Sequence, residues 1–308
     1  MIRVFVFVLI STLFFEINSK TNDTPITHFT VADTIQTGVN AIYDSIGLLN
    51  SYTARVFTPV CEVDKCYAIE INFYWDLIGR FHHYDTIPGK SLTKLDHEPF
   101  IVDDFIKLEK ILKNANSPLA LYSKEELVRN TRSSEIDGFT GATINEIKES
   151  VIGGAVYSCH TLWHIANGSA VDSLQKTTKE NFNENLVKKL VSKQDQEINY
   201  FLIYSFSEDD FQTYLPEVLL TIPQGKGYYA KHVFEKMPKD VISSNLSQTF
   251  FAANFNQFNY FAQVALLEKI DTNSLSSEMS IALTNSLDER NSYRNDLIRQ
   301  LTSTGSKH

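Results

Sequence analysis

The sequence predicts a mixed α+β domain containing an antiparallel sheet, followed by an all-α domain of helical repeats. Three observations carry this reading. Tyr67, Ile69, Ile71 and Phe73 alternate with Ala68, Glu70 and Asn72, the period of a half-buried strand. Asp103–Asn114 and Thr143–Ala166 instead carry apolar residues at helical spacing. Beyond Ser169, Asn199-Tyr200-Phe201, Gly227-Tyr228-Tyr229-Ala230 and Asn259-Tyr260-Phe261-Ala262 echo one another about every 30 residues, as stacked helix pairs of the HEAT or tetratricopeptide kind do. The expected boundaries are a leader over 1–19, an α+β domain over 20–170 and a helical domain over 171–308.

In chain order, Met1-Ile2-Arg3 is a short basic start and Val4–Phe15 an apolar run broken only by Ser11 and Thr12. That is the pattern of a secretory signal peptide ending at Ser19. Ile17 stands where alanine is usual, and the run is shorter than the ~20 apolar residues of a membrane-spanning helix, which is the alternative reading. The mature protein is expected to be extracytoplasmic, periplasmic or otherwise secreted. Residues 20–30 are polar and loose. Val31, Ile35, Val39, Ile42, Ile46 and Leu49 then recur every three or four residues, predicting an amphipathic helix over Thr30–Leu49. Tyr52–Pro59 and Cys66–Tyr74 read as a hairpin joined by Glu62–Lys65, and Trp75–Tyr84 as a further strand ending before Pro88-Gly89.

Asp103–Asn114 reads as a helix with Phe105, Ile106, Leu108, Ile111 and Leu112 as its apolar residues, and Ser117-Pro118 terminates it. A helical turn is expected at Glu125–Val128. The helix from Thr143 to Ala166 carries Gly153 and Gly154 in its middle, each costing about 1 kcal/mol against alanine, so a close approach by backbone or ligand is expected there. Asn167-Gly168 is its C-cap. Gln175–Lys193 is charged and helical and marks the domain boundary. In the helical domain Tyr214, Phe234, Phe250, Phe251, Phe255 and Phe258 read as core, and Pro216, Pro223 and Pro238 as helix starts or connections. Fraying is expected from Thr302.

Hydrophobic residues at 43% and charged residues at 21% are globular values. A net charge of −9 argues against nucleic acid, whose phosphates need a basic face. Cys61 and Cys66 read as a structural disulfide, with a dithiol redox pair as the sharper alternative, although the spacing is not Cys-x-x-Cys. Cys159 reads as a small buried apolar residue.

One stretch reads as chemistry. Asp137-Gly138 favours a turn, Gly141 leaves the backbone unobstructed, and Thr143 with Glu146 forms a Thr-x-x-Glu capping box at a helix start. A helix N-terminus carries about half a positive charge and free N–H groups, so a hydroxyl there is well placed to hold a phosphate. The full string Asp137-Gly138-Phe139-Thr140-Gly141-Ala142-Thr143 resembles the flavinylation motif Asp-Gly-x-Ser/Thr-Gly/Ser-Ala-Thr of FMN-binding domains. Covalently flavinylated domains of this family occur in the sodium-pumping NADH:quinone oxidoreductase and in the Rnf complex. The resemblance covers about residues 60–168 and is strong at the motif. It implies FMN as cofactor, esterified through its phosphate to Thr143 by a Mg-dependent flavin transferase or held tightly without a covalent bond. Asp137, Gly138, Thr140, Gly141 and Ala142 would then serve transferase recognition and the turn. It also implies that His97-Glu98-Pro99 lies by the flavin, with a structural loop as the bland alternative.

Tyr74 and Trp75 are further candidate neighbours of the ring or phosphate, core packing being the other reading for Trp75. His160 and His164 stand four apart and could share a metal, yet no third ligand follows, so exposed or hydrogen-bonded histidines are expected and no metal is assigned. Three functions compete. The first is an extracytoplasmic flavoprotein electron carrier or reductase domain with a membrane or extracytoplasmic redox partner. The second is an exported helical-repeat scaffold that binds a protein partner, its flavin-type domain being structural. The third is a hydrolase or metal enzyme built on Asp96, His97 and the histidine pair.

Overall fold

The computed structural model describes residues 20–21, 25–31, 35–60, 67–127 and 145–303, in two compact units, Met1–Thr178 and Lys179–His308. An antiparallel sheet is followed by a helical region.

The strands are β1 (Lys20–Thr21), β2 (Thr27–Val31), β3 (Ile35–Tyr43), β4 (Leu49–Thr58), β5 (Ile69–Trp75) and β6 (Phe81–Thr86). They lie in the order β1-β3-β4-β5-β6, with β2 also paired to β3. Strands β4 and β5 pair antiparallel as expected, with Tyr52 opposite Trp75 and Val56 opposite Ile71, and the connection expected at Glu62–Lys65 lies outside the described residues. The helix expected over Thr30–Leu49 does not form: the segment runs through β2, β3, a turn and the start of β4. Thr37, Val39 and Ala41 are buried while Gly38 and Asn40 are half-buried, a two-residue period that the longer-range spacing of isoleucines obscures. Gly38 also admits close packing, since a Cβ there would lie 2.7 Å from Pro25 Cγ.

Two turns of one design fold the sheet. Asp44-Ser45-Ile46-Gly47 joins β3 to β4, and Asp76-Leu77-Ile78-Gly79 joins β5 to β6. In each, the aspartate Oδ1 accepts the N–H groups two and four residues on, and the glycine N–H donates to the aspartate carbonyl at 3.0 Å. Both glycines sit at φ +79°, where a side chain would be strained.

Helices α1 (Val102–Lys113), α2 (Val156–Asn167) and α3 (Ala170–Glu180) complete this unit. The helix expected from Thr143 is interrupted. Asn145–Ser150 is a 3-10 stretch, Gly153-Gly154 is a turn with Gly154 at φ +75°, and the α-helix starts only at Val156. A second 3-10 turn, Lys124–Glu126, overlaps the helical turn expected at Glu125–Val128. Trp75, fully buried, donates from Nε1 to the Ala166 carbonyl at 2.8 Å, and Trp163 donates to the Asn114 carbonyl at 2.8 Å. The Thr178 hydroxyl donates to the Leu77 carbonyl at 2.5 Å and accepts from Tyr52 at 2.5 Å, tying α3 to the strand ends.

In the second unit, α4 (Glu184–Val191) precedes α5 (Gln196–Ser205), α6 (Glu208–Thr213), α7 (Leu215–Thr221), α8 (Tyr229–Lys236), α9 (Lys239–Ser243), α10 (Asn245–Asn254), α11 (Tyr260–Lys269), α12 (Ser277–Asn285) and α13 (Ser292–Ser303). The elements recur about every 32 residues. Helices α5, α8 and α11 each end on an extended residue, Phe206, Met237 or Ile270, whose N–H bonds to the carbonyl of Leu202, Val233 or Leu266 at 2.9, 2.8 and 3.1 Å. A short helix or 3-10 turn follows each, then α7, α10 or α12. Asn199-Tyr200-Phe201 falls in the second turn of α5, whereas Gly227-Tyr228 and Asn259 precede α8 and α11, so the first sequence echo is out of phase with the structural one. Within this unit α11 is joined to α8 by Asn259 Nδ2 donating to the Gly227 carbonyl (2.8 Å) and Lys269 Nζ donating to the Met237 carbonyl (2.9 Å). Tyr214, Phe234, Phe251 and Phe255 are buried, with Phe250 and Phe258 packed in the same core.

Candidate cofactor site

Asp137, Gly138, Thr140, Gly141, Ala142 and Thr143 lie outside the described residues, as do Cys61 and Cys66. His97 lies within them, on a clasp between β6 and α1. Thr93 pairs with Pro99, Lys94 N–H donates to the Glu98 carbonyl at 2.7 Å, and Phe100 N–H donates to the Leu92 carbonyl at 2.9 Å. The tip of the clasp puts Asp96 and His97 at φ 56° and 61°, a region that costs non-glycine residues on the order of 1–3 kcal/mol each. The exposed His97 ring packs on Tyr67, centroids 4.2 Å apart.

The clasp is held from two sides. Leu95 N–H donates to the Gly154 carbonyl at 2.7 Å, and a Cβ on Gly154 would stand 3.2 Å from Lys94 Cβ. This is the close backbone approach that the glycine pair predicts, made by the His97 loop in a turn rather than in mid-helix. Lys94 Nζ contacts Asp104 at 2.9 Å and Glu98 at 3.5 Å, and the Asp104 hydrogen bond raises the ammonium pKa above its ordinary value. Asp104 also accepts from Ile101 N–H at 2.9 Å, fixing the first turn of α1.

Beside α1 lies a groove of about 550 Å³. Asp103, Ile106, Lys107, Lys110, Ile111 and Asn114 form one wall, a single face of the helix, and Glu149 and Ser150 at the end of the 3-10 stretch form the other. Its size is that of a small-molecule site. Isoleucines stand there alongside two ammonium groups, the carboxylates of Asp103 and Glu149, an amide and hydroxyls, a lining on which a ring system with an apolar end and carbonyl acceptors would find both packing and donors. Helical spacing groups Ile106 with the other apolar residues of α1 and does not single out this face; the residue is 49% exposed. The available signal is the lysine pair at Lys107 and Lys110, on the same side as Ile106 and Asn114.

Other candidates are accounted for by packing. Trp75 belongs to the core, and Tyr74, on the opposite face of β5, stacks on His83 with centroids 4.3 Å apart. His160 Nε2 donates to the Tyr122 carbonyl at 2.8 Å and His164 Nε2 to the Leu119 carbonyl at 3.2 Å. Among the described residues, no group of three or more His, Cys, Asp or Glu is arranged to hold a metal ion. Cys159 is fully buried, and burial pushes its thiol up to about 12, so it stays protonated at neutral pH. No helix among the described residues is long and apolar enough to cross a membrane.

Burial lowers the pKa of His164 below 6.5, and burial with the adjacent His82 does the same to His83. The unfolded chain therefore takes up protons first as pH falls, and the stability tied to the neutral imidazoles is complete above 6.5 and declines below it. Urea melts between about pH 7.5 and pH 5 should show stability falling with pH, with a flatter profile in His164→Gln; an unchanged slope would contradict this assignment.

No protein-family model matches the chain, and neither the search of curated proteins nor that of solved structures finds a match.

Proposed function

We propose that this chain is an extracytoplasmic flavoprotein that carries FMN on Thr143 and takes part in electron transfer. The observation that carries the proposal is the string Asp137–Thr143, which fits the flavinylation motif at every constrained position. The attachment needs a separate Mg-dependent transferase. The Thr143 Oγ–phosphorus bond forms, the pyrophosphate bond of FAD breaks, AMP leaves and the hydroxyl proton passes to base. A covalent link suits an exported protein, from which a dissociating cofactor would be lost.

Bound flavin supplies the redox chemistry, and the chain supplies orientation and local charge. The α1 groove supports the reading because Ile106 and Ile111 can pack on a ring, Lys107 and Lys110 can donate to its carbonyls, and Asn114 and Ser150 can pair with its polar edge. The His97 clasp, anchored on Gly154, is the second element assigned to the cofactor region.

The test is co-expression of the full chain with a flavin transferase, followed by denaturing gel fluorescence and intact mass. The wild type should gain the mass of FMN less one water, and Thr143→Ala should gain nothing. An unmodified wild type under conditions that flavinylate a control substrate overturns the proposal.

A second reading then leads: an exported scaffold that binds a protein partner through its helical unit. The specific observation favouring it is a set of exposed aromatics on α5, α8, α11, α13 and their leading residues. Tyr204, Tyr228, Tyr260, Phe261 and Tyr293 are each 40–54% exposed, and tyrosine is enriched at binding hot spots. We assign the helical unit to the stacked repeats of the HEAT or tetratricopeptide kind, on its recurrence about every 32 residues.

A further inference from the structure

Attachment at Thr143 fixes one end of the cofactor and leaves open where its ring lies. Resting on the FMN reading, we propose that the isoalloxazine ring lodges in the groove between α1 and the Asn145–Ser150 stretch, with Lys107 and Lys110 donating to its carbonyl edge and Ile106 beneath its apolar end.

Reach is the first argument. Two residues separate Thr143 from Asn145, at most about 7 Å of chain. A 3-10 stretch rises about 2 Å per residue, so Glu149 in the groove wall stands roughly 8 Å further on. The ribityl phosphate tether contains about ten single bonds, roughly 12 Å when extended. The path from Thr143 to Glu149 is thus at most about 15 Å, and the tether together with the length of the ring itself covers it.

Chemistry is the second. The groove floor includes Ile111, 6% exposed, and its rim carries Ile106, 49% exposed, an aliphatic residue on the outer side of a helix whose core-facing residues are Leu108, Ile111 and Leu112. Among the described residues, Lys94 is committed to Asp104 and Lys113 to Glu109, whereas no carboxylate pairs with Lys107 or Lys110. The groove also holds Asp103 and Glu149, so its net charge is balanced and the lysines act as directed donors rather than as a bulk attraction. A planar ring with carbonyls on one end and methyl groups on the other uses both halves of this lining.

Two measurements test the assignment. The first titrates free FMN into Thr143→Ala protein, following flavin fluorescence. Saturable quenching is expected, with the midpoint moved at least tenfold upward in Thr143→Ala/Lys107→Glu/Lys110→Glu. The second uses the flavinylated full chain and iodide as a fluorescence quencher. Lys107→Glu/Lys110→Glu and Ile106→Glu should each raise the quenching constant several-fold while leaving the mass increment in place. Far-UV circular dichroism and urea midpoints check that the variants fold, and Lys113→Glu, one turn from Lys110 on the same helix, serves as the charge control.

Attached flavin whose iodide quenching and visible spectrum are the same in wild type and in every groove variant overturns the groove while sparing the Thr143 reading. If no flavin attaches, the Thr143 reading falls and the titration alone decides: FMN binding that is absent, or is unmoved by charge reversal, overturns the groove as well.

Discussion

Arg294→Met is expected to destabilise the helical unit by about 2–4 kcal/mol, because two buried neutral acceptors lose their donor. Arg294 is 5% exposed. Its Nη1 donates to Gln263 Oε1 of α11 at 2.9 Å, and its Nη2 donates to the Ser286 carbonyl at the end of α12 at 2.7 Å and to Asp288 Oδ2 at 2.9 Å. Methionine fills most of the volume but leaves the Gln263 and Ser286 acceptors without that donor, at about 1–3 kcal/mol for each one left dry. Asp288 is a different case. It is exposed, and backbone N–H donation from Arg290, with Asn291 and then Arg294, holds its carboxyl below the usual range. Asp288→Asn should therefore cost less than Arg294→Met. Urea unfolding of the two variants checks the order, and equal midpoints would mean that the guanidinium contributes only through Asp288.

Trp75→Ala should destabilise the sheet unit by about 3–5 kcal/mol, the range for removing a fully buried large aromatic. Its ring stacks on Phe73 with centroids 5.5 Å apart, and its Nε1 joins β5 to the last turn of α2. Trp75→Phe keeps most of the apolar area and leaves the Ala166 carbonyl without its donor, so a smaller loss of about 1–3 kcal/mol is expected. The consequence extends to the His97 clasp, because α2 follows the Gly153-Gly154 turn that holds it. Hydrogen exchange of the Leu95 amide, bonded to the Gly154 carbonyl, should quicken in Trp75→Ala; a Leu95 amide as protected as in wild type would show that the clasp is stabilised independently of the sheet.

The parts of the fold that can be read from sequence are those in which one period dominates. Ile69–Phe73 alternates cleanly because β5 lies between two strands with one face dry, whereas Tyr67, read as part of the same strand, lies outside it and is exposed, and the Asp103–Asn114 helix reads correctly because its ends are marked by acidic residues and by Ser117-Pro118. Thr30–Leu49 misleads because isoleucines and valines from two strands and a turn fall by chance at helical intervals. Turn chemistry holds the missing signal: an aspartate followed two residues on by Ile-Gly occurs at Asp44 and again at Asp76, and aspartate paired with a left-handed glycine marks a hairpin more firmly than spacing marks a helix. Gly153-Gly154 signals a close approach but not a helix break, since apolar residues continue in phase on either side of it. His97 can be located on a loop from its neighbours; its left-handed backbone cannot, because it arises from the bridge between Thr93 and Pro99 and from Gly154, far along the chain.

The identical ends of α5, α8 and α11 bear on how this half of the molecule can change over time. Each of these helices closes on the same hydrogen-bonded step within its own segment, followed by a short helix or 3-10 turn, so a segment of about 32 residues begins and ends in one backbone geometry, the condition under which duplication or loss of a whole segment leaves the remaining helix ends in register.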